Sequence, residues 1–221
     1  MKKKIIFLLL IILITTTTAE EVVLPKPNYK GNLSLEELLY KWKAKRSFKD
    51  TPLSLKQLSQ LLWASSGLTI DGVSSATRVF PSAGAIYPLE IYVVCGKVEN
   101  LEAGIYKYDA KSHTLKLIKK GDFRKELTSA CYYQFFISQA PLSFIWVGNY
   151  NKVAYWYKER GKVRYIHIDL GHSAQNLTLQ ATALGLGTVQ VGAFKDEEIN
   201  KLLGLSQEET ALYVMPVGYP K

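Results

Sequence analysis

The chain has 221 residues with 48% hydrophobic and 21% charged content, so it can bury a core and is not a disordered or low-complexity polymer. Its formal charge is +9, but Lys2, Lys3 and Lys4 supply three of those positives, and the remaining six are spread among acids rather than gathered in a stripe. That distribution argues against a nucleic-acid-binding face, while a modest positive field suits a phosphate-bearing small ligand.

The three lysines precede an apolar run from Ile5 to Ile14, then Thr15 to Thr18 and Ala19. This is the anatomy of a Sec-type signal peptide over residues 1–19, and it predicts export to a periplasmic or extracellular space. An uncleaved membrane anchor is the alternative, although the run is shorter than the roughly 20 residues that cross a bilayer. No stable membrane insertion is expected after cleavage. Residues 20–31 hold Pro25 and Pro27 without periodicity and read as an N-terminal arm, which leaves a single domain over 32–221.

Asn32 or Ser34 can cap a first helix, in which Leu35, Leu38, Leu39 and Trp42 make an apolar face. A second helix has Ser54 as N-cap, Gln57 in the capping-box position, a stripe of Leu55, Leu58, Leu61 and Leu62, and Gly67 as its end. "LEIYVVCG" reads as a buried strand. Two alternating runs around Asp109–Ser112 read as a hairpin. Residues 122–139 look helical, "PLSFIWVGNY" is another buried strand, and a long helix follows that is nearly uncharged from Gly171 to Gly187. Such a helix either runs through the core or packs against a partner chain. Strand "TVQVGAF", helix "KDEEINKLLGL" and strand "ALYVMPVGYP" close the chain. Strands separated by helices, with one hairpin, give an α+β class with helices on a mixed sheet.

Common chemistries find little support. Gly185, Gly187 and Gly192 follow a helix and lead into a strand, the reverse of the order a dinucleotide fingerprint needs; Gly185 is better read as a helix terminator and Gly187 as a turn. His167 and His172 lie about 140° apart around a helix, so with Asp169 they make no shared metal face, and no metal is expected. There is no nucleophile elbow, and neither Cys95 nor Cys131 adjoins a histidine. The two cysteines suit either one disulfide or two buried thiols. What stands out is bare backbone at "PSAGAIYP" and a cationic knot at Lys45, Arg46, Ser47 and Lys49, whose fork, point charges and hydroxyl suit either a phosphate monoester or plain solvent.

Together, "KRSFKD", "PLSLKQLSQLLWASSG", "RVFPSAGAIYPLEIYVV", "GHSAQNLTLQATALGLGTVQVGAF" and "ALYVMPVG" resemble the nitroreductase family of FMN-dependent oxidoreductases, in the branch of SagB-type dehydrogenases. The resemblance implies a nitroreductase-like α+β fold with a mixed, mainly antiparallel sheet flanked by helices. It also implies a homodimer holding FMN at its interface, NAD(P)H as electron donor, and hydride transfer through flavin to a nitroaromatic, quinone-like or related acceptor. Alternatives are a SagB-like dehydrogenase oxidising a peptide heterocycle and a non-catalytic exported flavin-binding module. By resemblance, Lys45, Arg46, Ser47 and Lys49 would grip the FMN phosphate and ribityl chain. Pro81, Ser82, Ala83, Gly84 and Ala85 would pass along the flavin, and Gln190, Val191 and Gly192 would form the loop whose backbone faces its ring. Tyr157 stands near the proton-handling position of azoline oxidases and is the candidate catalytic residue.

Overall fold

A computed structural model describes residues 21–69 and 77–221. The expected signal peptide lies outside the described residues. Seven strands form one sheet: β1 (Glu21–Val23), β2 (Leu89–Cys95), β3 (Gly104–Asp109), β4 (Thr114–Lys120), β5 (Leu142–Asn149), β6 (Gly187–Thr188) and β7 (Glu209–Gly218), in the order β1-β4-β3-β2-β5-β7-β6. Every ladder in it is antiparallel, not mixed as the strand-and-helix alternation suggests. The helical excursions return the chain beside its neighbour running the opposite way.

Period-two alternation builds a core on each face of this sheet. Ile91, Val93, Phe144, Trp146 and Met215 face one side, where they meet helices α2 (Leu55–Ser66) and α6 (Ile166–Ala183). Tyr92, Val94, Ile145, Val147 and Val214 face the other, against α3 (Arg124–Ala130) and α7 (Asp196–Leu203). Each large side chain so buried stabilises the fold by about 1.5–3 kcal/mol relative to exposure. The sheet also separates the cysteines. Cys95 belongs to the first core and Cys131 to the second, and both are free. Burial pushes the Cys131 thiol up to about 12, and that of Cys95 higher still.

Local signals set the helix ends. Ser34 and Glu37 form a capping box on α1 (Leu35–Lys41), and Ser54 and Gln57 form one on α2, which stops at Gly67. Gly185 takes the left-handed conformation just beyond α6, as a helix terminator should. Gly187 is not a turn but a strand residue. A Cβ there would lie 2.7 Å from Cβ and Cγ of Lys45, so its bareness lets the Lys45 stem pack against the sheet.

Three further segments differ from their sequence pattern. The region expected as an arm outside the fold adds β1 to the hairpin edge and buries Leu24, because Glu21–Val23 find open ladder positions along β4. Residues 122–139 form two short helices, α3 and α4 (Phe136–Gln139), broken where Tyr132 and Tyr133 turn left-handed. The "TVQVGAF" strand shrinks to β6 plus a single bridge between Val191 and Val214.

Between β5 and α6 run helix α5 (Tyr150–Arg160) and a π-helical turn (Gly161–Tyr165), with Lys158 at φ 53°, ψ −140° interrupting α5. Across the core, Trp146 Nε1 donates to Ser173 Oγ at 2.7 Å, and that hydroxyl donates to the Ser65 carbonyl at 2.6 Å. This relay ties β5, α6 and α2 together.

Candidate functional site

The polar anchors of the cationic bend are backbone hydrogen bonds. Lys45 N–H donates to the Thr188 carbonyl, Lys49 N–H to the Tyr219 carbonyl, and Lys221 N–H to the Ser47 carbonyl. Phe48, at 2% exposure, plugs the inside of the bend and bridges to Pro220. Arg46, Ser47 and Lys49 are exposed and Lys45 is half-buried. Among the described residues none of these four side chains makes a hydrogen bond or an ion pair, so their donors are all available to a ligand.

Thr188 connects the bend to the loop at Gln190–Gly192. Its carbonyl serves Lys45, while its Oγ1 is buried without a partner among the described residues. Two residues on, Gln190 Nε2 donates to Thr178 Oγ1 of α6 at 2.8 Å, and Val191 exchanges both backbone hydrogen bonds with Val214. The N–H groups of Gln190 and Gly192 face away from β7 and make no hydrogen bond among the described residues. A Cβ on Gly192 would meet nothing closer than Tyr213 at 3.9 Å, so the space over that backbone is open.

The second cluster is the turn at Pro81–Tyr87. Gly84, Ala85 and Tyr87 all have positive φ, at 59°, 53° and 50°. For Ala85 and Tyr87 this region is unfavourable and must be held by surrounding contacts. Ser82 supplies them: its carbonyl accepts from Ala85 N–H at 3.0 Å and its Oγ accepts from Tyr87 N–H at 2.9 Å. Ser82 Oγ donates in turn to Asp169 Oδ2 of α6 at 2.5 Å, and Ala83 N–H donates to Asp169 Oδ1 at 3.3 Å. His172 Nδ1 lies 3.2 Å from the Pro81 carbonyl, and Asn176 Nδ2 donates to the Val79 carbonyl at 2.9 Å. Tyr157 packs edge-on against Tyr165, with its hydroxyl against Gly84. The bare glycine thus has a reason within the chain itself, a left-handed turn closed by a tyrosine.

Asp169 and Asn176, about two turns apart, share one flank of α6, whereas Thr178 is about two and a half turns from Asp169 and lies on the opposite flank. The structure therefore brings Lys45–Lys49 together with Gln190–Gly192, and Pro81–Ala85 together with Tyr157, but sets the two groups on opposite flanks of α6 within one protomer. Between the flanks, the inner face of α6 joins the first core while Ile168, Gly171 and Gln175 are exposed on its outer side, an uncharged stripe. Among the described residues no three His, Cys, Asp or Glu side chains come together as a metal site.

The nitroreductase family model matches residues 39–219, which contain the bend, the turn, α6 and the Gln190–Gly192 loop. The chain belongs to the nitroreductase family. It is 42% identical over 186 residues to MJ1384 of Methanocaldococcus jannaschii, provisionally named a nitroreductase, with 84% of this chain and 91% of that protein covered. A solved structure from Ralstonia eutropha, also provisionally named a nitroreductase, superposes with a TM-score of 0.78 at 28% identity over 93% of this chain and 91% of that one. More distantly, the chain is similar to the trifolitoxin-processing protein TfxB of Rhizobium leguminosarum bv. trifolii, at 29% identity over 58% of this chain and 35% of that protein.

Members of this family of oxidoreductases typically bind FMN. The donor set fits that group. Among the described residues a fork, two ammonium groups and a hydroxyl stand with no partner at the bend, and unpaired backbone N–H groups and an orphan buried hydroxyl lie next to it. Asp169 and Thr188, which organise the two clusters, were not singled out for these roles by sequence. Asp169 carries a signal in hindsight, as the sole acid in the sequence of α6.

Proposed function

We propose that the protein is an FMN-dependent oxidoreductase that moves two electrons, as hydride, from a reduced nicotinamide donor to a nitroaromatic, quinone-like or related acceptor. The observation that carries this reading is the set of free donors at Lys45–Lys49 joined through Thr188 to the open backbone of Gln190–Gly192. When bound, FMN supplies the redox chemistry, and the chain supplies orientation and electrostatics. Arg46 and the two lysines hold the dianionic phosphate, with Arg46 able to grip two oxygens at once. The N–H groups of Gln190 and Gly192 present fixed donors to polar atoms of the ring, and the bare Gly192 admits its edge.

The reading includes a two-fold dimer in which the Pro81–Ala85 turn of one protomer completes the site formed by the bend and the Gln190–Gly192 loop of its partner. Three features support it: the opposite-flank placement of the two clusters, the uncharged outer stripe of α6, and the apolar side chains Leu35, Leu39 and Tyr40, which α1 leaves 57%, 56% and 88% exposed. It also includes Sec-type export, with flavin acquired after secretion.

Protein isolated from its own compartment is expected to be yellow, to bleach on addition of a reductant and to sediment as a dimer. A colourless protein that takes up no FMN on titration overturns the reading.

Similarity to a trifolitoxin-processing protein favours a second reading, a SagB-like dehydrogenase acting on a peptide heterocycle with Tyr157 handling a proton. Tyr157→Phe would then abolish heterocycle oxidation while leaving flavin content intact. Unaltered turnover would dismiss it.

A further inference from the structure

We propose that Asp169 is a positioning residue: its carboxylate, acting through Ser82 Oγ and Ala83 N–H, holds the Ser82–Tyr87 turn in the left-handed shape that presents it to FMN. The inference rests on the FMN reading above and assigns a task to a residue outside the ligand-facing set.

The hydrogen bonds run in one direction. Tyr87 N–H donates to Ser82 Oγ, so the hydroxyl must direct its own proton elsewhere, and it goes to Asp169 Oδ2. Ala83 N–H occupies the other carboxylate oxygen. Asp169 is 2% exposed, and both its oxygens serve the turn. Three residues of that turn occupy the left-handed region, and two of them carry side chains that disfavour it. Without an acceptor at Asp169, the Ser82 hydroxyl loses the partner that fixes its rotamer, and Tyr87 N–H loses its fixed acceptor.

Burial works against the ionised form of Asp169. Burial pushes its carboxyl above the usual aspartate value, outweighing the lowering by Ser82, Ala83 and the nearby His172. The folded state then holds the proton more tightly than the unfolded chain. Any stability from this group is present at acid pH and lost as pH rises through the folded pKa.

The test uses the full-length protein and three variants, read by amide hydrogen exchange without ligand and by FMN titration. Asp169→Ala is expected to remove protection from the Ala83 and Tyr87 amides and to raise the FMN dissociation constant about tenfold, the scale of one lost charge-assisted hydrogen bond. Asp169→Asn can still accept from Ala83 N–H and donate to Ser82 Oγ, so it should restore protection and bring the constant within about threefold of the parent. Ser82→Ala keeps the carboxylate and should lose Tyr87 protection and FMN affinity, which guards against a misfolded Asp169→Ala. The proposal is overturned if Asp169→Ala keeps parental protection and affinity, or if Asp169→Asn behaves like Asp169→Ala. Should the parent itself bind no FMN, the exchange data still decide the role of Asp169 in the turn, and it is the FMN reading that falls.

Discussion

The hydroxyl of Tyr157 stands 2.8 Å from the point where a Cβ on Gly84 would sit, with the ring carbon Cζ behind it at 3.5 Å. The tyrosine thus touches the one residue of the turn that has no side chain. Gly84→Ala should cost stability by two separable routes, about 1–2 kcal/mol for placing a Cβ at positive φ and a further contact penalty against the hydroxyl. Tyr157→Phe removes the contact but not the backbone strain. Unfolding of both single variants and the double variant should therefore show positive coupling, the second change partly rescuing the first. Strictly additive losses would mean that Tyr157 yields freely.

At the bend, Arg46→Ala should weaken FMN binding by about 1.5–3 kcal/mol, roughly ten- to hundredfold, with little change in unfolding temperature, because its side chain is exposed and unpaired. Gly187→Ala should also weaken binding, indirectly, since its new methyl group would drive the Lys45 stem off the sheet. Fluorescence titration checks both, and an unchanged constant in Arg46→Ala would return the bend to solvent.

Ser173→Ala breaks the buried relay between Trp146 and the Ser65 carbonyl. It strands one donor and one acceptor inside the first core, which should destabilise by about 1–3 kcal/mol and lower the melting temperature by several degrees. Thermal unfolding measures it directly, and a melting curve unmoved by the substitution would show that the relay adds nothing to stability.

His113 ties the N-terminal strand region to the hairpin. Its Nδ1 meets Tyr108 Oη at 2.8 Å, and its Nε2 lies 2.8 Å from Ser59 Oγ and 3.1 Å from the Pro25 carbonyl. Burial holds its pKa below the ordinary 6.5, against a smaller opposing effect of the Pro25 carbonyl. The unfolded chain therefore binds the proton more readily. Stability is full above the unfolded value and is lost as pH falls from 6.5 through the folded pKa. His113→Gln should flatten the melting temperature across this acid range, and an equally steep profile would assign the pH response to another group.

Much of this architecture is legible in the chain because short-range rules govern it. The capping box at Ser54, the terminator Gly185 and the alternation in β2 and β5 each declare themselves within a few residues, whereas the first helix's cap, open between Asn32 and Ser34, is settled at Ser34 by the fold. The bend at Lys45–Lys49 is visible as a cluster of charge. What the sequence hides is set at long range or by backbone alone. Asp169 meets a serine 87 residues away, so its burial gives no local sign. Ala85 and Tyr87 adopt left-handed backbone against their own preference. The edge strand β1 has too few residues for a pattern, and the all-antiparallel ladder follows from how the connections return rather than from any strand's composition.

The last residue of β7 and those just after it line the Ser47–Lys49 part of the bend. Tyr219 and Lys221 hydrogen-bond with Lys49 and Ser47, Pro220 bridges to Phe48, and a Cβ on Gly218 would press on the Phe48 ring at 3.1 Å. The shape of the bend is thus wired to a stretch of three or four residues that carries none of the bend's own cations. Replacing Pro220 and Lys221 by glycine should loosen FMN binding while every cation of the bend stays in place, because the backbone that frames Ser47 and Phe48 would lose its anchor.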